Sequence, residues 1–161
     1  MIIVVMGVSG SGKTTVGWQL AQQLGWEFAD ADDYHSAASV EKMRRGVPLT
    51  GADRRPWLEA LRSLIANWIS TERNAVLACS ALKQAYRERL RVNDEVRLVY
   101  LKASHDLLSQ RLRQRHDHYM KEPMLESQLA TLEEPENAFA VNANETPEQI
   151  VRDIRKNLGL A

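Results

Sequence analysis

A glycine-rich string near the start of the chain has the residue types and the spacing that hold phosphate. The string Gly7-Val-Ser-Gly-Ser-Gly-Lys-Thr14 fits G-x-x-x-x-G-K-[ST] and directly follows the apolar run Ile2 to Met6. Glycines let several backbone N–H groups turn toward phosphate oxygens, and the following helix adds its positive amino end. A glycine and serine turn can match this pattern by chance, but the strand and helix around it are the required context. The sequence therefore predicts a nucleoside triphosphate site.

Lys13 and Thr14 have the most specific predicted roles in this loop. Lys13 is expected to reach the β- and γ-phosphates and to be accessible to solvent in the empty site. The Thr14 hydroxyl is expected to ligate Mg²⁺. The predicted nucleotide-binding residues form one continuous stretch, namely Gly7, Val8, Ser9, Gly10, Ser11, Gly12, Lys13, Thr14 and Thr15.

Two carboxylates leave the predicted second strand at the edge of the sheet where open α/β proteins bind ligands. In Asp30-Ala-Asp-Asp-Tyr-His35, Asp30 is suited to hold Mg²⁺ through water, and Asp32 is suited to accept the proton of an attacking hydroxyl. The alternative is an acidic helix start, where aspartate caps the helix and favours its dipole. The third strand ends in Ser80 instead of the acidic residue that P-loop motor and switch ATPases place there, which favours a metal role for Asp30.

The chain lacks the D-x-x-G and N-K-x-D strings of regulatory GTPases. A compact small-molecule or nucleotide kinase is therefore favoured over a GTP-dependent switch.

Two pairs of basic residues are each spaced one helical turn apart. Lys83 and Arg87 follow the third strand and are predicted to share a helical face that can converge on an anion. A solvated charged face is the alternative. Arg111 and Arg115 precede a polar stretch with few apolar anchors, which indicates a closing lid over about 111–128. These two arginines are expected to stabilise charge on a transferring phosphoryl group.

Composition limits the class of protein. The 161 residues, of which 44% are hydrophobic, suffice for one domain with a buried core. Lys plus Arg and Asp plus Glu each number 21, so no global charge favours nucleic acid or membrane. The single cysteine, Cys79, cannot form an internal disulfide, and the first apolar run is too short for a signal peptide. The expectation is a cytoplasmic protein with neither a nucleic-acid nor a membrane partner.

Alternating strand and helix patterns predict an α/β fold, with a five-stranded parallel sheet covered by helices on both faces. A stripe from Trp57 to Trp68 at helical spacing is expected to pack in the core or at a subunit contact. The predicted strands are Ile2 to Met6, Glu27 to Asp30, Ala75 to Cys79, Arg97 to Lys102 and Phe139 to Val141. The predicted helices are Lys13 to Leu24, Val40 to Arg45, Pro56 to Ser70, Leu82 to Arg91, His105 to Arg115 and Pro147 to Leu158.

Several separated strings give the chain a resemblance to the gluconate kinase (gluconokinase) family, small P-loop enzymes related in fold to shikimate and adenylate kinases. The phosphate loop alone is shared by many unrelated proteins, whereas the strings beginning at Lys42 and Asp53 are much more specific. The strings are Gly7 to Lys13, Asp30-x-Asp-x-x-His35, Glu41-Lys-Met-x-x-Gly-x-Pro-Leu49, Asp53-Arg-x-Pro-Trp-Leu58, Cys79-Ser-Ala-Leu-Lys-x-x-Tyr-Arg87 and Leu125-x-Ser-Gln-x-x-Thr-Leu-Glu-x-Pro135.

The resemblance implies a single P-loop kinase domain over 1–161 that uses ATP and Mg²⁺, and a homodimer. It implies that Asp32 and His35 face a sugar acid, and that Arg54, Lys83 and Arg87 supply positive charge to its pocket. Arg111 and Arg115 match the lid region. The chain departs from the family pattern where Ala31, Ser36 and Ser39 stand in place of the usual Gly, Pro and Asn, and near the lid at 116–119.

The activity implied is transfer of the ATP γ-phosphate to the 6-hydroxyl of D-gluconate, with Lys13, Asp32, Arg111 and Arg115 as catalytic residues. Two alternatives remain at this point. One is a shikimate-type or nucleoside monophosphate kinase, although no Gly-Gly pair follows the third strand. The other is a nucleotide-binding regulatory module without turnover. Adenine contacts are expected from the loop Asn142 to Thr146.

Overall fold

The computed structural model of the protein describes residues 1–114 and 122–160 and contains one parallel sheet of five strands. The strands lie in the order β2-β3-β1-β4-β5, so the first strand of the chain is central. The predicted sheet is confirmed, and each strand differs from its expected bounds by at most one residue. The strands are β1 (Ile2–Met6), β2 (Glu27–Asp30), β3 (Ala75–Ala78), β4 (Val96–Lys102) and β5 (Phe139–Asn142).

Helices cover both faces of the sheet, as predicted. One face packs against α3 and α4 through a stripe of buried side chains that begins at Trp57 and ends at Trp68. The other face packs against α1 and α7. The helices are α1 (Lys13–Leu24), α2 (Ala37–Arg44), α3 (Gly51–Ser70), α4 (Gln84–Leu90), α5 (His105–Gln114), α6 (Glu122–Thr131) and α7 (Pro147–Asn157), with a 3₁₀ turn at Ala31–Tyr34.

Helix α3 begins at Gly51, so the expected start at Pro56 is wrong. Thr50 caps the helix by accepting from the Asp53 backbone N–H, and the Asp53 carboxylate accepts from the Thr50 backbone N–H in return. This reciprocal pair satisfies two amino-terminal N–H groups and starts the helix before the proline. The earlier start brings Arg54 onto the first turns of a rigid helix.

The predicted lid region contains a helix that the sequence analysis did not anticipate. Residues 111–114 end α5, and 122–128 belong to α6. The expectation of few apolar anchors is wrong for α6, because Leu125 is 2% exposed and packs with Val8 and Leu108. His105 and Glu126 also form a hydrogen bond between α5 and α6. Helix α6 is therefore held against the phosphate loop.

A search of the described ranges for a helix long and apolar enough to cross a bilayer finds none. The longest helix, α3, carries charged residues such as Asp53 and Arg62 along its length.

Candidate active site

The phosphate loop joins β1 to α1 at the carboxyl end of the sheet, and its glycines are needed for its shape. Gly12 caps α1 with φ of 96°, in the left-handed region that glycine adopts without strain. A Cβ built on Gly7 would lie 2.6 Å from the Ser11 Oγ. Since Ser11 is itself 1% exposed, it cannot move away easily. The position of Ser11 therefore leaves no room for a side chain at residue 7.

Lys13 is only 8% exposed, so the expectation of solvent accessibility is wrong. The start of α1 lies against the end of β3, where Lys13 is close enough to Cys79 to affect its thiol. Burial raises the pKa of the Cys79 thiol to about 12, against the lowering effects of an Ala81 backbone hydrogen bond and of the Lys13 charge. The lysine is therefore positioned by the protein before phosphate arrives.

Asp30 and Thr14 lie together, and their oxygens fit a hard divalent cation. The Thr14 hydroxyl donates to Asp30 Oδ2 at 2.7 Å. Mg²⁺ takes few protein ligands and keeps waters and substrate phosphates, so a hydroxyl and one carboxylate are a suitable pair. Asp30 Oδ1 also accepts from the Asp32 backbone N–H at 2.9 Å, which caps the 3₁₀ turn. Asp30 therefore caps the 3₁₀ turn, as the alternative reading expected, and it also lies beside Thr14.

Asp32 lies at the boundary of two small cavities. One cavity is formed by the phosphate loop and also has Lys13 and Ser9 on its wall. The second cavity lies beside the first. It is lined by Ser9, Lys13 and Asp32 as well, together with residues such as His35 and Arg54 that belong to other segments. A group bound in the second cavity would therefore meet the phosphate loop at Asp32, where a proton acceptor for phosphoryl transfer is needed.

His35 and Trp57 form one wall of this second cavity, which we call the acceptor pocket. Their rings stack with centroids 4.4 Å apart and planes at 11°. Trp57 Nε1 donates to the Ala31 carbonyl at 2.7 Å, which fixes the indole beneath the turn that carries Asp32. Burial lowers the pKa of His35, opposed by the charge of Asp32 and reinforced by that of Arg54. The imidazole is therefore neutral near pH 7.

Arg54 supplies positive charge to the acceptor pocket. Its Nη1 donates to the Tyr86 hydroxyl at 3.4 Å, and its guanidinium carbon lies 5.8 Å from the Tyr86 ring centroid. The neighbouring Asp53 is already engaged by Lys42 at 2.8 Å. The Lys42 hydrogen bond, with that of Thr50, lowers the pKa of Asp53 to about 2. No carboxylate of the described residues forms an ion pair with Arg54, so its charge can serve an anionic ligand.

Helix α6 closes the acceptor pocket on the side facing the phosphate loop. The Ser9 backbone N–H donates to Gln128 Oε1 at 2.8 Å, and Ser127 and Thr131 also lie on the pocket wall. The pocket encloses about 60 Å³. Ligand pockets typically enclose roughly 300 Å³ or more, so this pocket is smaller than most pockets that hold a small molecule.

Neither Lys83 nor Arg87 lies on the wall of the acceptor pocket. Lys83 is the exposed cap residue before α4 and has an extended backbone conformation. Arg87 is 6% exposed and points its donors at backbone carbonyls, namely those of Ala81 at 2.8 Å, Leu82 at 3.1 Å and Glu133 at 2.7 Å. The structure therefore places Arg87 in a support role behind the pocket.

Arg111 lies beside the phosphate loop. It donates to the Gly10 carbonyl at 2.9 Å and to the Ala143 carbonyl at 2.8 Å. Ala143 belongs to the loop from which adenine contacts are expected, so one side chain joins the two ends of the predicted nucleotide site. Arg115, its predicted partner, lies outside the described residues, as does the departure from the family pattern at 116–119.

Ser36 and Ser39, two of the positions that depart from the family pattern, both belong to the start of α2. Ser36 caps α2 by accepting from the Ser39 backbone N–H at 3.1 Å, and the two hydroxyls lie 3.2 Å apart. Ala31 is 1% exposed, and its carbonyl accepts a hydrogen bond from Trp57. None of the three lies on the acceptor pocket wall among the described residues. Their effect on a ligand is therefore indirect.

Trp57, Tyr86 and Gln128 are among the pocket residues that were not assigned a site role from the sequence. Trp57 was expected in the core or at a subunit contact; it is buried in the core, and its ring also stacks on His35. Tyr86 and Gln128 line the same pocket. All three occur in the strings that carried the family resemblance, so the signal was present, but spacing alone does not show which side chains meet.

A phosphate held at Lys13 would face Asp32 across the boundary of the two cavities, and a parallel-sheet fold with this arrangement defines the class of P-loop kinases. A family profile described as an AAA domain matches residues 2–135. A probable gluconokinase of Xenopus tropicalis is 44% identical, over 96% of this chain and 91% of that protein. The gluconokinase of Gluconobacter oxydans is also 44% identical, over 94% and 88%. The chain belongs to the gluconokinase family.

Solved structures agree with this assignment. A gluconokinase from Sinorhizobium meliloti is 37% identical and superposes with a TM-score of 0.84 over 98% of this chain and 94% of that chain. A shikimate kinase from Aquifex aeolicus, at 21% identity, superposes with a TM-score of 0.63 over 99% and 96%. The second likeness concerns the fold alone.

Proposed function

We propose that this protein is an ATP-dependent gluconokinase, which transfers the γ-phosphate of ATP to the 6-hydroxyl of D-gluconate and gives 6-phospho-D-gluconate and ADP. The observation that carries the proposal is that Ser9, Lys13 and Asp32 line both the phosphate-loop cavity and the acceptor pocket. A hydroxyl in the second cavity is thereby directed at a phosphate in the first. The family membership supplies the substrate class.

In this mechanism Asp32 orients the 6-hydroxyl and accepts its proton as the bond to phosphorus forms. Lys13 stabilises charge on the transferring phosphoryl group, and the loop N–H groups hold the nucleotide in place. Arg111 and Arg115 are proposed to add positive charge from the lid region. Closure of α6 would exclude water, which would otherwise compete as a phosphoryl acceptor.

Mg²⁺ is the proposed metal, held by Thr14 and, through water, by Asp30. When bound, it supplies positive charge that offsets the charge of the β- and γ-phosphates. The finer expectations from the sequence stay proposals: one kinase domain over 1–161 with a lid at about 111–128, a homodimer, a cytoplasmic location, and no nucleic-acid or membrane partner. Sedimentation and cell fractionation would test the assembly and the location.

We assign recognition of the gluconate carboxylate to Arg54, with Tyr86 and His35 beside it. Lys83 and Arg87 share the predicted role from the family pattern, but only Arg54 of the three lies on the pocket wall. A cation left unpaired by a neutral ligand costs more than a lost methylene, so a neutral analogue should be rejected strongly. The pocket should therefore read the acid group of its substrate.

The test is ADP release with gluconate, sorbitol, shikimate and a nucleoside monophosphate as acceptors. We expect kcat/KM for gluconate to exceed that for sorbitol by at least about 10³-fold, and Arg54→Gln to narrow the ratio mainly by weakening gluconate. Arg152→Gln, an exposed arginine on α7, is the matched control. Turnover with shikimate or a nucleoside monophosphate in preference to gluconate would support the alternative kinases. ATP binding without any acceptor-dependent turnover would support a regulatory module.

A further inference from the structure

A third cavity, separate from the phosphate-loop cavity and the acceptor pocket, lies at the amino ends of β4 and β5. It has a volume of about 400 Å³, which is within the range of pockets that bind small molecules. Its lining comes from the starts of these strands, from α4 and from the end of α7. Neither Lys13 nor Asp32 nor any other residue of the acceptor pocket contributes to it.

The lining of this cavity combines an apolar surface with several cations. Apolar contact is provided by side chains of the sheet and of α4, namely Val4, Leu90, Val96, Leu98 and Phe139. Arg87, Arg91 and Arg97 also line it, and Glu88 is the one carboxylate residue among its lining residues. Arg91 lies 3.7 Å from Asp94 in an exposed ion pair, which is a weak interaction. The charge of the cavity is therefore positive.

Arg87 adds a buried positive charge to this cavity. No carboxylate of the described residues lies within ion-pair distance of its guanidinium, although the charge of Glu133 acts on it, and its buried Nε has no hydrogen-bond partner. Its other nitrogens bind the carbonyls of Ala81, Leu82 and Glu133 and the Gln84 side chain. Because water screens this buried cation less, it attracts an anion more strongly than an exposed arginine does.

We propose that this cavity is a second binding site, which takes a small phosphate-bearing molecule with an apolar body. The apolar body lies against Leu98 and Phe139, and the phosphate is held by Arg91 and Arg97 near the field of Arg87. Occupancy is transmitted to the acceptor pocket through Arg87, because this side chain holds Leu82, a residue of the pocket wall. The site is thus suited to regulate acceptor binding.

The binding test uses 2-naphthyl phosphate as the probe, with adenylyl imidodiphosphate and Mg²⁺ saturating the phosphate loop. 2-Naphthol lacks the charge and inorganic phosphate lacks the apolar body, so the three compounds separate the two contributions. We expect 2-naphthyl phosphate to bind at least about 10-fold more tightly than either. Arg91→Gln and Arg97→Gln should each weaken it about 10-fold, whereas Arg152→Gln should not. These readouts do not depend on the proposed activity.

Three results would overturn the site. They are affinity unchanged in both arginine variants, equal binding of naphthol and naphthyl phosphate, and displacement of the probe by the ATP analogue. Sedimentation at the same protein concentrations tests whether a second copy of the chain occupies the cavity. If Arg97→Gln changes the assembly state and the probe binds only to the monomer, the cavity is a subunit contact instead.

The coupling is tested by steady-state kinetics and rests on the proposed function. With wild-type protein, saturating 2-naphthyl phosphate should change the KM for gluconate at least about 3-fold and leave the KM for ATP nearly unchanged, because Arg87 supports the acceptor side. Arg97→Gln should abolish this response while keeping its basal kcat. An unchanged KM for gluconate with a filled cavity would refute the coupling, whereas absence of any gluconate turnover would refute the proposed function and leave the binding result standing.

Discussion

At the scale of single residues, Lys13 is a cation that the fold itself shields from water. A lysine with little exposure is less hydrated than a surface lysine, so it interacts more strongly with a phosphate. Burying this cation beside the end of β3 costs desolvation free energy, which the rest of the fold must offset.

Because Lys13 is buried, its replacement must keep its volume. Lys13→Met removes the charge and fills nearly the same space, whereas alanine would also leave a cavity. We expect kcat to fall by about 10²-fold or more with a small change in the melting temperature. The measurement is ADP release alongside thermal unfolding, with Lys156→Met, an exposed lysine on α7, as the control. A folded Lys13→Met protein with near-wild-type kcat would contradict the role of this lysine.

Asp32 is the next residue whose role can be separated by substitution. The structure assigns the cap of the 3₁₀ turn to the Asp30 side chain, so Asp32→Asn should not remove a helix cap. The amide keeps the shape of the side chain but cannot accept a proton. We therefore expect kcat to fall about 10²-fold or more while the free energy of unfolding changes little. Loss of stability without loss of activity per folded molecule would instead give Asp32 a structural role.

His35 links the acceptor pocket to a pH dependence of stability. Burial lowers the pKa of His35, so between its folded pKa and its ordinary value of 6.5 the unfolded chain binds the proton more readily. Stability from this group is complete above pH 6.5 and is lost as the pH falls through that window. Urea unfolding from pH 7.5 to pH 5 should therefore show a larger loss for wild type than for His35→Gln. Parallel curves for the two proteins would mean that His35 does not titrate differently in the two states.

At the scale of elements, α3 carries both Arg54 and Trp57, so its start determines the geometry of the acceptor pocket. Thr50→Ala removes one half of the reciprocal cap, and we expect a loss of about 1 kcal/mol in the free energy of unfolding. Thr50→Ser keeps the hydroxyl and should restore most of it. Denaturant titration of the three proteins makes the measurement. Equal stability of wild type and Thr50→Ala would show that another interaction fixes the start of α3.

The same element shows where sequence reasoning succeeds and fails. Strand β1, helix α1 and the loop between them follow from contiguous residues, because an apolar run, a glycine pattern and a helical period are all local. The start of α3 was missed because Pro56 is suited to a first helical turn, and the cap formed by Thr50 and Asp53 competed with it successfully. Helix α6 was missed because its buried residue Leu125 finds its packing partners in segments that are distant in sequence.

The composition of the acceptor pocket cannot be predicted from residue spacing either, because its residues are distant in sequence. His35, Arg54, Tyr86 and Gln128 come from four separate segments that meet only in the folded chain. Lys83 and Arg87 have the spacing of a helical pair, but α4 begins after Lys83, which is exposed, whereas Arg87 is buried. Family resemblance supplied the strings that contain these residues, and the structure supplied the contacts.

At the scale of the whole molecule, both faces of the sheet are buried, and the only cysteine of the chain lies within that core. Cys79 is fully buried, and burial raises the pKa of its thiol to about 12, so it should react only when the sheet opens. We expect 5,5′-dithiobis(2-nitrobenzoate) to label the native protein at least about 10³-fold more slowly than the urea-unfolded chain. ATP analogue with Mg²⁺ should slow labelling further, because it stabilises the native state. Rapid labelling of the native protein would mean that the end of β3 opens locally.

The hydrogen bond between Ser9 and Gln128 has a consequence for the order in which substrates meet the enzyme. One partner belongs to the loop that would receive the nucleotide, and the other to a helix on the wall of the acceptor pocket. If the acceptor displaces α6, the loop that binds the nucleotide changes with it, and by linkage each substrate then alters the affinity of the other by the same factor. The two substrates should therefore bind with synergy or antagonism, not as independent events.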